Sequence, residues 1–160
     1  MALLSWGKPG IETTTSSDGA PAASASWTAI DTPKDGTTKL NPTAGTEQEA
    51  IEEGGDIVDS RTGKNKYTFE FDLFVKKGKQ RPWQDTDGVI SGEHAFRVTP
   101  EDDTCEGIQI DRCTLRVEEN YSTAEGILLH YVAKVLKPKT GKMVKSYTKN
   151  STPSAAGSDT

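Results

Sequence analysis

The segment Lys66–Val75 (KYTFEFDLFV) constrains the fold more than any other stretch of the chain. Tyr67, Phe69, Phe71, Leu73 and Val75 share one parity, and Lys66, Thr68, Glu70 and Asp72 share the other. Side chains alternate across a strand, so this period of two predicts one buried face and one polar face. Of the five inward residues, Tyr67, Phe69, Phe71 and Val75 are aromatic or β-branched, types that suit a half-buried pleated surface. Phe74 breaks the pattern, an apolar residue on the polar side just before the turn Lys76-Lys77-Gly78-Lys79. A strand divided this way needs a sheet behind it and water or another subunit in front.

The remaining strand signals are shorter. Ser26–Thr32 is a strand candidate that ends in the turn signal Asp35-Gly36. Thr46–Glu53 has helical composition, but only Ala50 and Ile51 offer an apolar face, so it reads as an exposed strand. Asp56–Arg61 and Tyr67–Val75, around Thr62-Gly63-Lys64-Asn65, read as a hairpin. Asp87-Gly88 marks another turn, after which Glu93–Thr99 alternates. In Cys105–Glu119, Ile108 and Ile110 have one parity, while Cys113, Leu115 and Val117 have the other. That switch predicts a bulge near Asp111-Arg112. Gly126–Leu136 is apolar on both faces at its start, as in a central strand buried on both sides, and Met143–Tyr147 reads as a last edge strand.

Seven or so strands, many turns and no long helix predict a mainly β fold. The expected architecture is a β-sandwich or partly closed barrel, with at most one short helix between Gln84 and Ile90. Polar composition at both ends predicts an N-terminal arm over 1–25, a β-domain over 26–147 and a C-terminal tail over 148–160.

Composition narrows the function. A net charge of −5 argues against a general nucleic-acid-binding surface, which needs clustered Lys and Arg to neutralise phosphates. Met1–Trp6 is too short for the apolar core of a secretion signal, and no apolar run approaches membrane-spanning length, so synthesis and assembly in the cytoplasm are expected. There Cys105 and Cys113 stay reduced, and both read as small buried hydrophobes.

Catalytic and metal-binding patterns are weak. His94 and His130 lie in predicted strands without a Cys or second His at ligand spacing. Glu101-Asp102-Asp103 lacks the spaced oxygen ligands of a calcium loop, and Glu52, Glu53 and Asp56 around Gly54-Gly55 form no better cluster. No nucleophile has a base placed beside it. The reading is a non-enzyme without metal or cofactor.

The order of several segments carries a resemblance. Thr46–Ala50, Glu52–Asp56, Arg61–Asn65, the Tyr67–Phe71 strand, the turn Phe74–Lys79 and then Arg81-Pro82 together resemble the tail tube proteins of long-tailed bacteriophages, across roughly residues 26–137. The resemblance implies a β-sandwich flanked by a helix, a fold shared with type VI secretion tubes. It also implies hexameric rings stacked into the conduit that delivers double-stranded DNA. The partners it implies are further copies of the chain and the tape measure, terminator and baseplate or tip proteins of a virion tail. On that basis Glu70, Asp72, Lys66 and Thr68 are candidates for the lumen or polar face. Lys76, Lys77, Lys79, Trp6, Trp83, Asp56 and Arg61 are candidates for contacts between subunits. Edge strands would pair around the ring. Two other readings stay open. One is a different β-sandwich virion protein of head-decoration, neck or terminator type. The other is a carbohydrate-binding module using exposed Trp and Tyr.

Overall fold

The computed structural model describes residues 2–150, and among these there are eleven strands and no helix. They are β1 (Gly10–Ser17), β2 (Ala20–Pro21), β3 (Thr28–Ala29), β4 (Lys39–Thr43), β5 (Glu47–Ile51) and β6 (Ile57–Thr62). β7 (Lys66–Phe74), β8 (Val89–Thr99), β9 (Gly107–Ser122), β10 (Gly126–Val135) and β11 (Val144–Tyr147) follow. Nine form one sheet curled into a half-barrel, in the order β2-β1-β8-β9-β10-β7-β4, with β11 joined to β9 and β3 to β1. β5 and β6 form a separate two-stranded sheet. The mainly β fold expected from the alternating segments is what the chain adopts.

β7 alternates as its sequence predicts: Phe69, Phe71 and Leu73 are buried, while Thr68, Glu70 and Asp72 are only half-buried and Phe74 is exposed. Its inward residues join Phe96 of β8, Leu115 and Val117 of β9, and Leu129, Tyr131 and Ala133 of β10 in one core. β9 is the spine. β8 runs along one side of it, and β10 and β11 share the other end to end, at Cys113–Ser122 and Gly107–Ile110 respectively. The expected bulge is present: His94 pairs with Cys113 and Phe96 with Ile110, so Asp111 and Arg112 face the single residue Ala95. The Asp87-Gly88 turn also forms, with Thr86 and Val89 exchanging both backbone hydrogen bonds.

Five expectations are corrected. Residues 10–17, read as part of a polar arm, are β1, paired along its length with β8; Ile11 and Thr13 are buried against the core face. The signal was there in a β-branched run followed by Asp18-Gly19, a two-residue turn in which both residues have positive φ (57° and 81°). β6 pairs with β5 across Glu52–Asp56, not with β7, which takes β4 and β10 as neighbours. β10 is buried on one face only, its other face carrying His130, Val132 and Lys134. The 84–90 region holds a turn in place of a helix. Within the expected C-terminal tail, Asn150 is tied to Asp103 by backbone and side chain, while residues 151–160 lie outside the described residues.

Both cysteines are free. Cys113 is buried under β8, its thiol donating to the His94 carbonyl, and burial pushes its pKa up from 9.0 to about 12. Burial likewise pushes the Tyr131 phenol from 10.0 up to about 12. Unfolding returns both groups to their ordinary values, so the unfolded chain releases these protons first as pH rises. The contribution of Cys113 to stability is complete below about pH 9 and that of Tyr131 below about pH 10, and both are lost on the way to about pH 12. Urea midpoints measured from pH 7 upward should therefore be insensitive to both groups until near pH 9. Cys113→Ala should remove the part of the decline that begins there.

Candidate functional site

The face of the sheet turned away from the core is defined by register. Across β4, β7, β10 and β9 the outward rows are Asp72–His130–Glu118, then Lys39–Glu70–Val132–Arg116, then Asn41–Thr68–Lys134–Thr114, with Thr43 opposite Lys66 beyond them. The sequence candidates Glu70, Asp72, Lys66 and Thr68 all lie here. Their setting differs from an acidic stripe. His130 sits between the two carboxylates, with Nδ1 2.5 Å from Asp72 Oδ1 and Nε2 3.6 Å from Glu70 Oε1. Asn41 donates to the other Glu70 oxygen at 2.6 Å, and Lys39 lies 4.0 Å from it. The carboxylates on this face are thus largely engaged within the chain. Sequence spacing could not have placed His130 there, because cross-strand register between β7 and β10 does so.

At the other end of the same face the charge reverses. Lys66, Arg116, Lys134 and Lys137 line a groove of about 700 Å³. Its floor includes Val132, Leu136 and Met143, all half-buried. Arg116 lies 3.7 Å from Glu118; among the described residues Lys66, Lys134 and Lys137 have no carboxylate within ion-pair distance.

The second feature is the β5–β6 hairpin. Every residue of both strands is exposed, so neither face lies on the rest of the chain. Three apolar side chains lie near the tip, Ile51, its partner Ile57, and Val58 at the register shift, and they are 61%, 57% and 56% exposed. The segment as a whole carries six carboxylates, Glu47, Glu49, Glu52, Glu53, Asp56 and Asp59, against two basic residues, Arg61 and Lys64. The root is pinched. Gly63 N–H donates to the Thr46 carbonyl at 2.7 Å, and a Cβ on Gly45 would lie 2.2 Å from the Gly63 carbonyl oxygen. A glycine at 45 therefore lets the two strands meet where the hairpin leaves the main sheet. The subunit-contact candidates Asp56 and Arg61 belong to this hairpin.

The other candidates are dispersed. Lys76, Lys77 and Lys79 occupy the exposed turn after β7, where Lys79 lies 3.8 Å from Asp31. Trp6 is 68% exposed on the segment before β1. Trp83 is not a free anchor: its ring packs on Phe71, Phe96, Tyr131 and His94, with centroids 5.1–6.3 Å apart. An aromatic in a polar loop folds back when the core it borders is open, and this one packs against the core cluster.

His94 and Asp102 make their hydrogen bonds within the fold. His94 Nε2–H donates to the Ser91 carbonyl at 3.1 Å, and burial lowers its pKa, so the ring is neutral at pH 7. Asp102 accepts from Ala2 N–H and from both the amide and hydroxyl of Thr104, which holds its carboxyl down at about 2. Among the described residues no three His, Cys, Asp or Glu side chains converge as metal ligands. The edges expected to pair around a ring differ in their capacity to do so. Of the edge strands, β2 and β4 are short and contain Pro21 and Pro42, which remove ladder donors, whereas β11, paired only with β9, contains no proline. No protein-family model matches the sequence, and no curated protein matches it either.

Proposed function

We propose that this chain is a structural subunit that assembles with copies of itself, and that the assembly is a phage tail tube of stacked rings, hexameric by the resemblance above. The observation that carries self-assembly is the β5–β6 hairpin. An isolated two-stranded hairpin is marginal in water, and this one exposes both faces and an apolar tip. Contact with a second molecule would cover the tip and supply the packing that the strands lack. The segment order that resembles tail tube proteins supplies the tube, and with it the remaining assignments: a virion tail built in the bacterial cytoplasm, contacts with tape measure, terminator and tip proteins, and passage of double-stranded DNA.

The hairpin's role can be tested without disturbing the core. A variant in which residues 44–65 are replaced by a two-residue turn should fold, since no core residue is removed. Sedimentation velocity and negative-stain microscopy over a wide concentration range are expected to show rings or tubes with a central hole for the parent chain and monomers for the shortened one. A parent chain that stays monomeric throughout would sink the proposal, as would a shortened chain that assembles equally well.

A further inference from the structure

The reading as a self-assembling subunit leaves open where the hairpin docks, and the chain carries a surface of matching chemistry. We infer that the β5–β6 hairpin of one copy docks in the groove lined by Lys66, Arg116, Lys134 and Lys137 of a second copy. This inference rests on the self-assembly proposed above and names its acceptor.

Charge complementarity is the first argument. The hairpin concentrates six carboxylates against two basic residues, and the groove presents four basic side chains against one carboxylate, Glu70, which already accepts from Asn41. Three of the groove's cations have no ion-pair partner among the described residues, so docking would complete pairs without breaking existing ones. Apolar matching is the second. Ile51, Ile57 and Val58 at the tip have a counterpart in the floor of Val132, Leu136 and Met143. A centre that is apolar with charges around it is the usual anatomy of a protein interface.

The donor must be another copy. Thr43 and Lys66, which line the groove, are also the last paired residues before the hairpin departs, so the root of a chain's own hairpin lies at its own groove. Five or six residues per strand carry the tip roughly 17–20 Å beyond that root. Complete exposure of both strands shows that the hairpin does not fold back. Because donor and acceptor are different surfaces, the contact is head-to-tail. Contacts of that type propagate copy by copy, closing into a ring or continuing as a helix.

Paired charge reversals test this. E49K/E53K takes the hairpin from six carboxylates against two basic residues to four against four, and K134E/K137E takes the groove from four basic side chains against one carboxylate to two against three. All four side chains are exposed, so thermal melts should match the parent. Each pair should weaken self-association by about tenfold or more, and the chain carrying both pairs should recover part of that loss, because the hairpin's new lysines then meet the groove's new glutamates. Added salt should weaken the parent's association as the screening length falls below about 8 Å. Association unchanged in either pair, or no better in the combined variant than in the weaker pair, overturns the docking while leaving self-assembly standing. So does a result in which K134E/K137E self-associates normally but loses binding to a short double-stranded DNA fragment, which would make the groove a phosphate site. A parent chain that is monomeric at every concentration overturns both this inference and the reading beneath it.

Discussion

Phe71→Ala should lower the stability of the folded chain by about 3–5 kcal/mol, read from the urea midpoint at constant slope. Phe71 is fully buried at the middle of β7. Its ring stacks on Tyr131 at 5.3 Å between centroids and meets Phe69 at 5.5 Å, Phe96 at 5.9 Å and Trp83 at 6.3 Å. These contacts join β7, β8, β10 and the loop that carries Trp83. Truncation leaves a hole whose walls are other rings held by separate strands, so collapse around it is limited. A domain of this size is stable by only about 5–15 kcal/mol, so the loss is a large share of the total. Phe74→Ala, three residues along the same strand but 37% exposed on the outer face, should cost less than about 1 kcal/mol. Equal losses at the two positions would mean that the alternation of β7 does not set its buried side.

Gly107→Ala should cost about 3 kcal/mol from a single added methyl group. Gly107 begins β9 where β8 and β11 flank it. A Cβ there would lie 2.0 Å from the Val98 carbonyl oxygen, 3.1 Å from Pro100 Cδ and 3.2 Å from the Tyr147 carbonyl oxygen. Two of those atoms are backbone in neighbouring strands and cannot swing aside as a long side chain would. Relief requires β8 or β11 to shift, and with it the Arg97 guanidinium, which lies over the Trp27 ring at 3.8 Å and donates to the Tyr147 hydroxyl. Gly10→Ala is the matched control. Its nearest neighbour would be Thr99 Cβ at 3.9 Å, so the change should be neutral or slightly stabilising. Thermal melts of the two variants, with hydrogen exchange on β11, distinguish a local clash from a general intolerance of alanine in strands.

The two variants probe different kinds of information in the chain. The inward face at Phe71 is legible in ten consecutive residues, because alternation is a property of neighbours along a strand. The bulge at Asp111-Arg112 and the Asp87-Gly88 turn are legible for the same reason: a parity switch and a turn dipeptide state their geometry locally. The crowding at Gly107 is not, since the atoms that forbid a side chain there belong to Val98 and Tyr147.

The same division runs through the candidate site. Polarity of Glu70, Asp72, Lys66 and Thr68 follows from their parity in β7. Their grouping with His130, and the separation of an acidic end from the basic groove of Lys66, Arg116 and Lys134, follows from the register of β7 on β10 and of β10 on β9. β1 shows how composition misleads. Its Thr and Ser residues read as an arm until β8, some eighty positions on, supplies the partner that buries Ile11 and Thr13. The hairpin shows the converse: β6 had two plausible partners nearby, and pairing with β5 left it outside the core while β4 and β10 took both edges of β7. Period and turn chemistry come from interactions within a few residues, so the chain specifies them wherever it lies. The choice of partner is a competition among distant segments for the same edges and the same buried area, and it is settled only when all of them pack at once.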